Sequence, residues 1–458
     1  MIYLNRLTDM LWYPWLLGAF LSVGGYYSLR TGFFQLFGLR TWLKHSVGSL
    51  LRAGKNKSRR GISQFQALST ALAATIGTGS IAGVATAIFY GGPGAVFWMW
   101  VSALLGMITS CAEKTLAVKY RATDQKGNIH GGPMYYIDRG LGSKPLAVLF
   151  AVFCMIETLI GGNLVQSNSI STTLNSAFGL NNLKVGLVLA LLTGAVIIGG
   201  IGRIGKISEL LVPCMAALFL VSGIIVLVYH IDRIPTALSD IFSQALTPKA
   251  ACGGYGAAAA IRYGIARGVF TNEAGLGTSA IAHAAADVDE PAKQGMWGIF
   301  EVFFATLVIC TMTALVILSS GVYNESFALR AIQSGTVENY MLGAPLSAAA
   351  FSTVFGKLGE IIVSVCLILF AFTSILGASY YGEQCLSYLT SRQRFIPIYR
   401  LFFLAAVVFG SIADLSAVWM LVDLSNGLMA MPNLIALLML SGEAVFMINH
   451  FQKQNNLK

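Results

Sequence analysis

Long apolar stretches recur along this chain, each about as long as a bilayer crossing, separated by short polar or glycine-rich connections. A membrane-spanning helix needs about 20 mainly apolar residues, and the pattern predicts about eleven of them. Their bounds fall at roughly 9–29, 65–90, 94–118, 145–178, 183–201, 206–231, 254–286, 294–320, 357–388, 396–413 and 415–447. The first apolar segment has neither a basic leader nor a small-residue cleavage site, so it reads as a retained helix and not a signal peptide.

Composition supports the same class. Of 458 residues, 56% are hydrophobic and 11% charged, with a mean hydropathy of +0.70. Such an apolar surplus has to face lipid. A net charge of +10 would suggest nucleic acid in a soluble protein. Here the basic residues cluster in connections, which reports orientation instead, so no nucleic-acid partner is expected. The connection after the first span carries Arg30, Arg40, Lys44, Arg52, Lys55, Lys57, Arg59 and Arg60 and no acidic residue. The positive-inside rule makes it cytoplasmic and puts the N-terminus outside. Alternation then places Lys119, Arg121, Lys126, Arg139, Lys144, Arg203, Lys206, Arg392, Arg394, Arg400, Lys453 and Lys458 inside, with the C-terminus cytoplasmic. Lys184, Arg233, Lys249 and Arg330 fall on the other side. The seven cysteines, Cys252 among them, lack zinc or redox spacing, and the five histidines are scattered. They indicate neither a covalent cofactor nor a transition-metal site.

Two spans are interrupted near their middles. One reads Ala73-Ala74-Thr75-Ile76-Gly77-Thr78-Gly79-Ser80, the other Gly268-Val269-Phe270-Thr271-Asn272-Glu273-Ala274-Gly275-Leu276-Gly277-Thr278. Glycines at that depth permit unwinding, and freed backbone groups survive there only where they line a cavity or hold an ion. Close packing by small residues is the plain alternative, but it does not call for Asn and Glu in the same stretch. The two breaks lie five spans apart and so run in opposite directions, as an inverted five-plus-five repeat with one extra N-terminal helix requires. Residues 65–231 and 232–447 form the two repeats, 1–64 the extra helix with its basic loop, and 448–458 a cytoplasmic tail. An enzyme would need convergent nucleophile, base or metal ligands. A channel would need filter loops or rings of like charge. Neither is visible, and in a receptor or interaction-only membrane protein the paired breaks have no evident purpose; a secondary transporter is the reading that uses them, with an ion channel as the alternative from another class.

The chain resembles the alanine or glycine:cation symporter family, within the amino acid–polyamine–organocation superfamily. The resemblance rests on Gly77-Thr78-Gly79, Gly91-Gly92-Pro93-Gly94-Ala95-Val96-Phe97-Trp98-Met99-Trp100, Gly131-Gly132-Pro133-Met134-Tyr135-Tyr136-Ile137, Gly264-Ile265-Ala266-Arg267-Gly268, Asn272-Glu273-Ala274-Gly275 and Tyr380-Tyr381-Gly382-Glu383. It implies an all-α leucine-transporter fold in the cell membrane and a monomer. It also implies sodium-coupled symport of a small neutral amino acid such as alanine or glycine. A larger neutral amino acid with altered or proton coupling is the second reading.

For the substrate, backbone N–H groups at Gly77, Thr78 and Gly79 would hold the carboxylate. Carbonyls around Phe270, Thr271 and Asn272 would take the ammonium. The Phe270 ring would wall the pocket, and Gln166 and Ser374 would contact substrate. For sodium, the resemblance points to carbonyls of Ala73 and Ile76 with the hydroxyls of Thr373 and Ser374; without it, those hydroxyls read as bonded back to their own helix. Glu157, Glu273 and Glu301 are intramembrane carboxylates and functional candidates by default. Three positions depart from the family pattern. Ser80 stands for an Asn and Ala305 for an acidic residue, which would weaken or remove one sodium site. Ala378 stands for a Trp, which would enlarge the pocket beyond a methyl side chain.

Overall fold

The computed structural model describes residues 12–50, 61–124, 127–246, 256–334, 343–390, 392, 394–413 and 418–456. Arg52, Lys55, Lys57, Arg59, Arg60, Lys126, Lys249, Cys252 and Lys458 lie outside them.

The architecture is helical, since a chain in hydrocarbon has to satisfy its backbone within each segment. The first span is α1 (Leu17–Arg30), led by a π turn at Trp12–Leu16. A capping box opens α2 (Gln64–Thr75): the Ser63 hydroxyl accepts from the Gln66 N–H while the Gln66 side chain reaches back to Ser63. After the first break, α3 (Ala82–Gly91) is stopped by Gly92 at φ 69°, and Pro93 leads into α4 (Gly94–Lys119). A short hairpin of β1 (Ala122–Thr123) and β2 (Ile129–His130) precedes α5 (Pro133–Leu141). Next come α6 (Lys144–Phe178), α7 (Asn182–Ile197) and α8 (Gly200–Tyr229). The second interrupted segment comprises α9 (Ala257–Asn272) and α10 (Thr278–Ala284). The chain ends through α11 (Pro291–Ser320), α12 (Lys357–Leu389), α13 (Phe395–Ile412), α14 (Val418–Met439) and α15 (Ser441–Asn456).

Seven described helices are long and apolar enough to cross a membrane: α4, α6, α8, α11, α12, α13 and α14. Of the other expected spans, two are the interrupted pairs, α7 is 16 residues long, and the first begins outside the described residues. The outward faces of α7, α8 and α13 expose Leu187, Leu191, Leu210, Val221, Val228, Leu401 and Phe409. Large apolar side chains on that scale suit lipid contact. The chain is thus a multi-pass membrane protein.

Several elements differ from the sequence expectation. Between two expected spans, Pro133–Leu141 forms a short amphipathic helix, α5, burying Met134, Tyr136 and Ile137. At nine residues it is too short to cross a bilayer. The last expected span divides at Leu440, and α15 carries helix through residues read as a tail. At the centre, α4 packs against α9 and α11, while α12 packs against α2 and α6. These four contacts bring both interruptions to the middle of the bundle.

Candidate functional site

The first break runs from Ile76 to Ile81. Ile76 is the last residue tied into α2, donating its N–H to Leu72 at 2.8 Å. Among the described residues, the N–H groups of Gly77, Thr78 and Gly79 have no acceptor. Below them the chain tightens into a single 3-10 turn, Thr78–Ser80. Three adjacent amides at the start of a helical turn are a donor set of the kind that suits an anion. The glycines are required by close approach: a Cβ on Gly77 would lie 2.6 Å from Ser374 Oγ, and one on Gly79 2.9 Å from the Phe270 ring.

The second break begins later than the sequence suggested. Helix α9 holds through Asn272, and the unwound stretch is Glu273–Gly277, with Glu273 (φ 53°), Gly275 (φ 90°) and Gly277 (φ 82°) left-handed. Two side chains divert the backbone. In a continuing helix, the N–H of Ala274 would bond to Phe270 and that of Gly275 to Thr271. Instead, Ala274 donates to Asn272 Oδ1 at 3.0 Å, and Gly275 donates to Glu113 Oε1 at 3.0 Å. The Thr271 carbonyl thus loses its helical donor.

A cavity lies between the breaks, lined in part by Gly77, Gly79, Gln166, Phe270, Ser374 and Ala378. These are six of the expected substrate positions. Thr78, Thr271 and Asn272 are buried but do not line it. The Thr271 hydroxyl bonds back to Arg267 and Gly268, both at 2.9 Å, and Asn272 braces the break as described. Their side chains are therefore structural. Gln166 donates to the Gly161 carbonyl at 3.3 Å, leaving its Oε1 buried without a donor.

The sodium positions are brought together only in part. Ser374 Oγ lies 3.1 Å from the carbonyls of both Ala73 and Ala74 and 3.0 Å from that of Phe370. One hydroxyl proton can serve only one of three carbonyls, so four oxygens converge where the first helix breaks. Thr373 turns away, donating to Phe370 at 3.0 Å and facing Met215 Sδ at 3.6 Å. At the departures, Ser80 is buried with its carbonyl accepting from Thr313 at 2.8 Å, and Ala305 is buried in the π turn Phe303–Cys310 that packs on Thr78–Ser80. Ala378 packs its methyl on Gly162, where there is no room for a side chain.

A charge network behind the cavity was largely missed from sequence. Lys114 Nζ, wholly buried, lies 3.3 Å from Glu301 and 3.8 Å from Glu113, and donates to Ser110 at 2.7 Å and Ser279 at 2.6 Å. Glu301 accepts from Thr75, the last residue of α2, at 3.1 Å, and its other oxygen faces His283 of α10 at 3.1 Å. Glu113 also accepts from Asn433 at 2.7 Å, and Asn433 donates to the Gly275 carbonyl at 2.9 Å. One network therefore grips the end of α2, the second break and α10. The available signal was a Glu113-Lys114 pair inside an otherwise apolar 26-residue helix, in its C-terminal quarter.

A helical membrane bundle with a polar cavity between two interrupted helices is a transporter architecture of the leucine-transporter type. Among solved structures, MhsT in complex with L-phenylalanine shares the fold at TM-score 0.61 and 14% identity, over 85% of this chain and 93% of that one. The chain belongs to the sodium:alanine symporter family, whose model matches residues 2–458. The sodium/alanine symporter AgcS of Methanococcus maripaludis is 43% identical over 447 residues, covering 96% of this chain and 95% of that protein. The Bacillus subtilis protein named "Probable sodium/glutamine symporter GlnT" is 37% identical, covering 98% of this chain and 90% of its own. The protein is a transporter, not an enzyme.

Proposed function

We propose that the protein couples the inward movement of sodium to that of a neutral amino acid by alternating access around the central cavity. One observation carries this reading: among the described residues, three amides without acceptors at Gly77–Gly79 on one broken helix, and on the other a Thr271 carbonyl whose helical donor, the Gly275 N–H, is turned to Glu113. A zwitterion needs both, donors for its carboxylate and acceptors for its ammonium. The oxygens around Ser374 suit a weakly held monovalent cation, having no fixed carboxylate among them. Names given to relatives at 43% and 37% identity supply sodium, with alanine or glutamine as cargo.

In this reading the two breaks belong to inverted five-helix repeats, residues 65–231 and 232–447, preceded by an extra helix, with about eleven crossings in all. The N-terminus is outside and the C-terminus cytoplasmic, and the monomer is the working unit. Ser80 and Ala305 offer few oxygens for a second ion, so one sodium per cycle is expected. Ala378 leaves space for a side chain larger than methyl. Equilibrium binding of radiolabelled alanine and glutamine to purified protein tests the reading: affinity should rise with sodium for at least one. Binding indifferent to sodium, or ion conductance without any ligand, would refute it.

A further inference from the structure

The cavity wall contributed by α6 and α12 has chemistry that a methyl side chain does not use. Glu157, one turn before Gly161, turns its carboxylate back toward that glycine; a Cβ on Gly161 would lie 2.5 Å from Glu157 Oε1. Glu157 lines the cavity and, among the described residues, forms no hydrogen bond or ion pair. Two more polar atoms border the same space without partners: Gln166 Oε1 and the Tyr381 hydroxyl, in side chains only 5% and 2% exposed. A second carboxylate, Glu273, lines the cavity with one oxygen already taken by the Thr278 hydroxyl. Among the described residues no Lys, Arg or His lines it. A wall of acceptors removed from water is costly unless something donates to it.

The amino-acid reading above already assigns the α-carboxylate to the amides of the first break and the α-ammonium to the carbonyls of the second. Glu157 lies on neither break. Glu157 and the Gly77 amide border the same cavity, with Gly161, Gly162 and Ala378 on its wall and Gln166 reaching from beside Gly77 to the Gly161 carbonyl. A side chain leaving the first break along that wall ends against Glu157, Gln166 Oε1 and Tyr381. We infer that these three residues form a side-chain subsite for an amino acid ending in a nitrogen hydrogen-bond donor, an amide or an amine. Such a terminus supplies two or three N–H groups, and the Tyr381 hydroxyl can donate in turn to an amide oxygen.

The inference rests on the amino-acid reading, and transport by proteoliposomes under a sodium gradient separates the two. Uptake of alanine, methionine, glutamine and lysine is compared in wild type, Glu157→Leu and Tyr381→Phe. Wild type should take up glutamine or lysine at least about tenfold more efficiently than methionine, which has similar length and no donor, because a site built to hydrogen-bond its ligand rejects analogues that cannot. Preference for glutamine identifies an amide subsite; preference for lysine identifies an amine subsite and widens the cargo from a neutral to a cationic amino acid. Glu157→Leu should collapse the ratio to methionine, and Tyr381→Phe, which removes one hydroxyl, should lower it. Sodium-driven uptake with methionine or alanine preferred would overturn the subsite and leave the symport reading standing. So would an equal loss for all four substrates in Glu157→Leu alongside an unmoved ratio in Tyr381→Phe, which would assign Glu157 to the ion or the α-ammonium. No sodium-driven uptake of any amino acid would overturn both.

Discussion

Replacing Lys114 with methionine keeps the length of the side chain and removes its charge. The ammonium sits between Glu301 at 3.3 Å and Glu113 at 3.8 Å, with hydrogen bonds to Ser110 and Ser279, and all three charged side chains are fully buried. Removing one partner of such a pair leaves an uncompensated charge and costs about 3–5 kcal/mol. That corresponds to roughly a hundred- to several-thousandfold in the folded-to-unfolded ratio. The two carboxylates keep other donors, since Glu301 has Thr75 and Glu113 has Asn433 and Gly275, which argues for the lower half of the range. Equilibrium unfolding in mixed micelles measures the loss. A double variant, Lys114→Met with Glu301→Gln, should lose less than the sum of its parts, by at least about 1.5 kcal/mol, as expected for residues in contact. Uptake should fall with the single change, because Lys114 also ties α10 to α4 through Ser279. A Lys114→Met protein within about 0.5 kcal/mol of wild type, the usual range for a neutral surface change, or a double variant that is simply additive, would refute the tether.

Ser374→Ala removes the only hydroxyl directed at the Ala73 and Ala74 carbonyls among the described residues. The sodium concentration for half-maximal uptake should rise by roughly tenfold, the equivalent of one lost charge-assisted contact, with a smaller change in the amino-acid KM. Gly79→Ala puts a Cβ 2.9 Å from the Phe270 ring. Substrate binding should be lost in a protein that still elutes as a monodisperse peak in size-exclusion chromatography. Ala378→Trp should restrict uptake to the smallest amino acids, read as a fall in the glutamine-to-alanine ratio; an unchanged ratio would mean that the side chain does not point toward Ala378.

Much of the site was legible because glycine placement marks where a membrane helix can break. Gly77 and Gly79 located the first break to within a residue, and the structure places Phe270, Ser374 and Gln166 on the same cavity. The second break was placed three residues early, since a run of Val-Phe-Thr-Asn carries no mark of where its hydrogen bonds are diverted. That is decided by Asn272 and by Glu113, which is 162 residues away in sequence. The same distance problem hid the Lys114 network: its contact with Ser279 spans 165 residues and no local pattern encodes it. Thr373 and Ser374 look alike in sequence, yet on one helix face only Ser374 reaches the break while its neighbour meets Met215. Adjacent residues on a helix point about 100° apart, and packing decides which one faces in.

The central claim is coupling between sodium and amino acid at one cavity between two broken helices. Its most direct test is radiolabelled uptake of alanine and glutamine into proteoliposomes, with inward gradients of sodium, potassium or protons imposed separately and Gly79→Ala as the inactive control. Accumulation above equilibrium driven by sodium, and abolished in the control, is the predicted result. Equal uptake under all three gradients, or uptake that only ever reaches equilibrium, would contradict it.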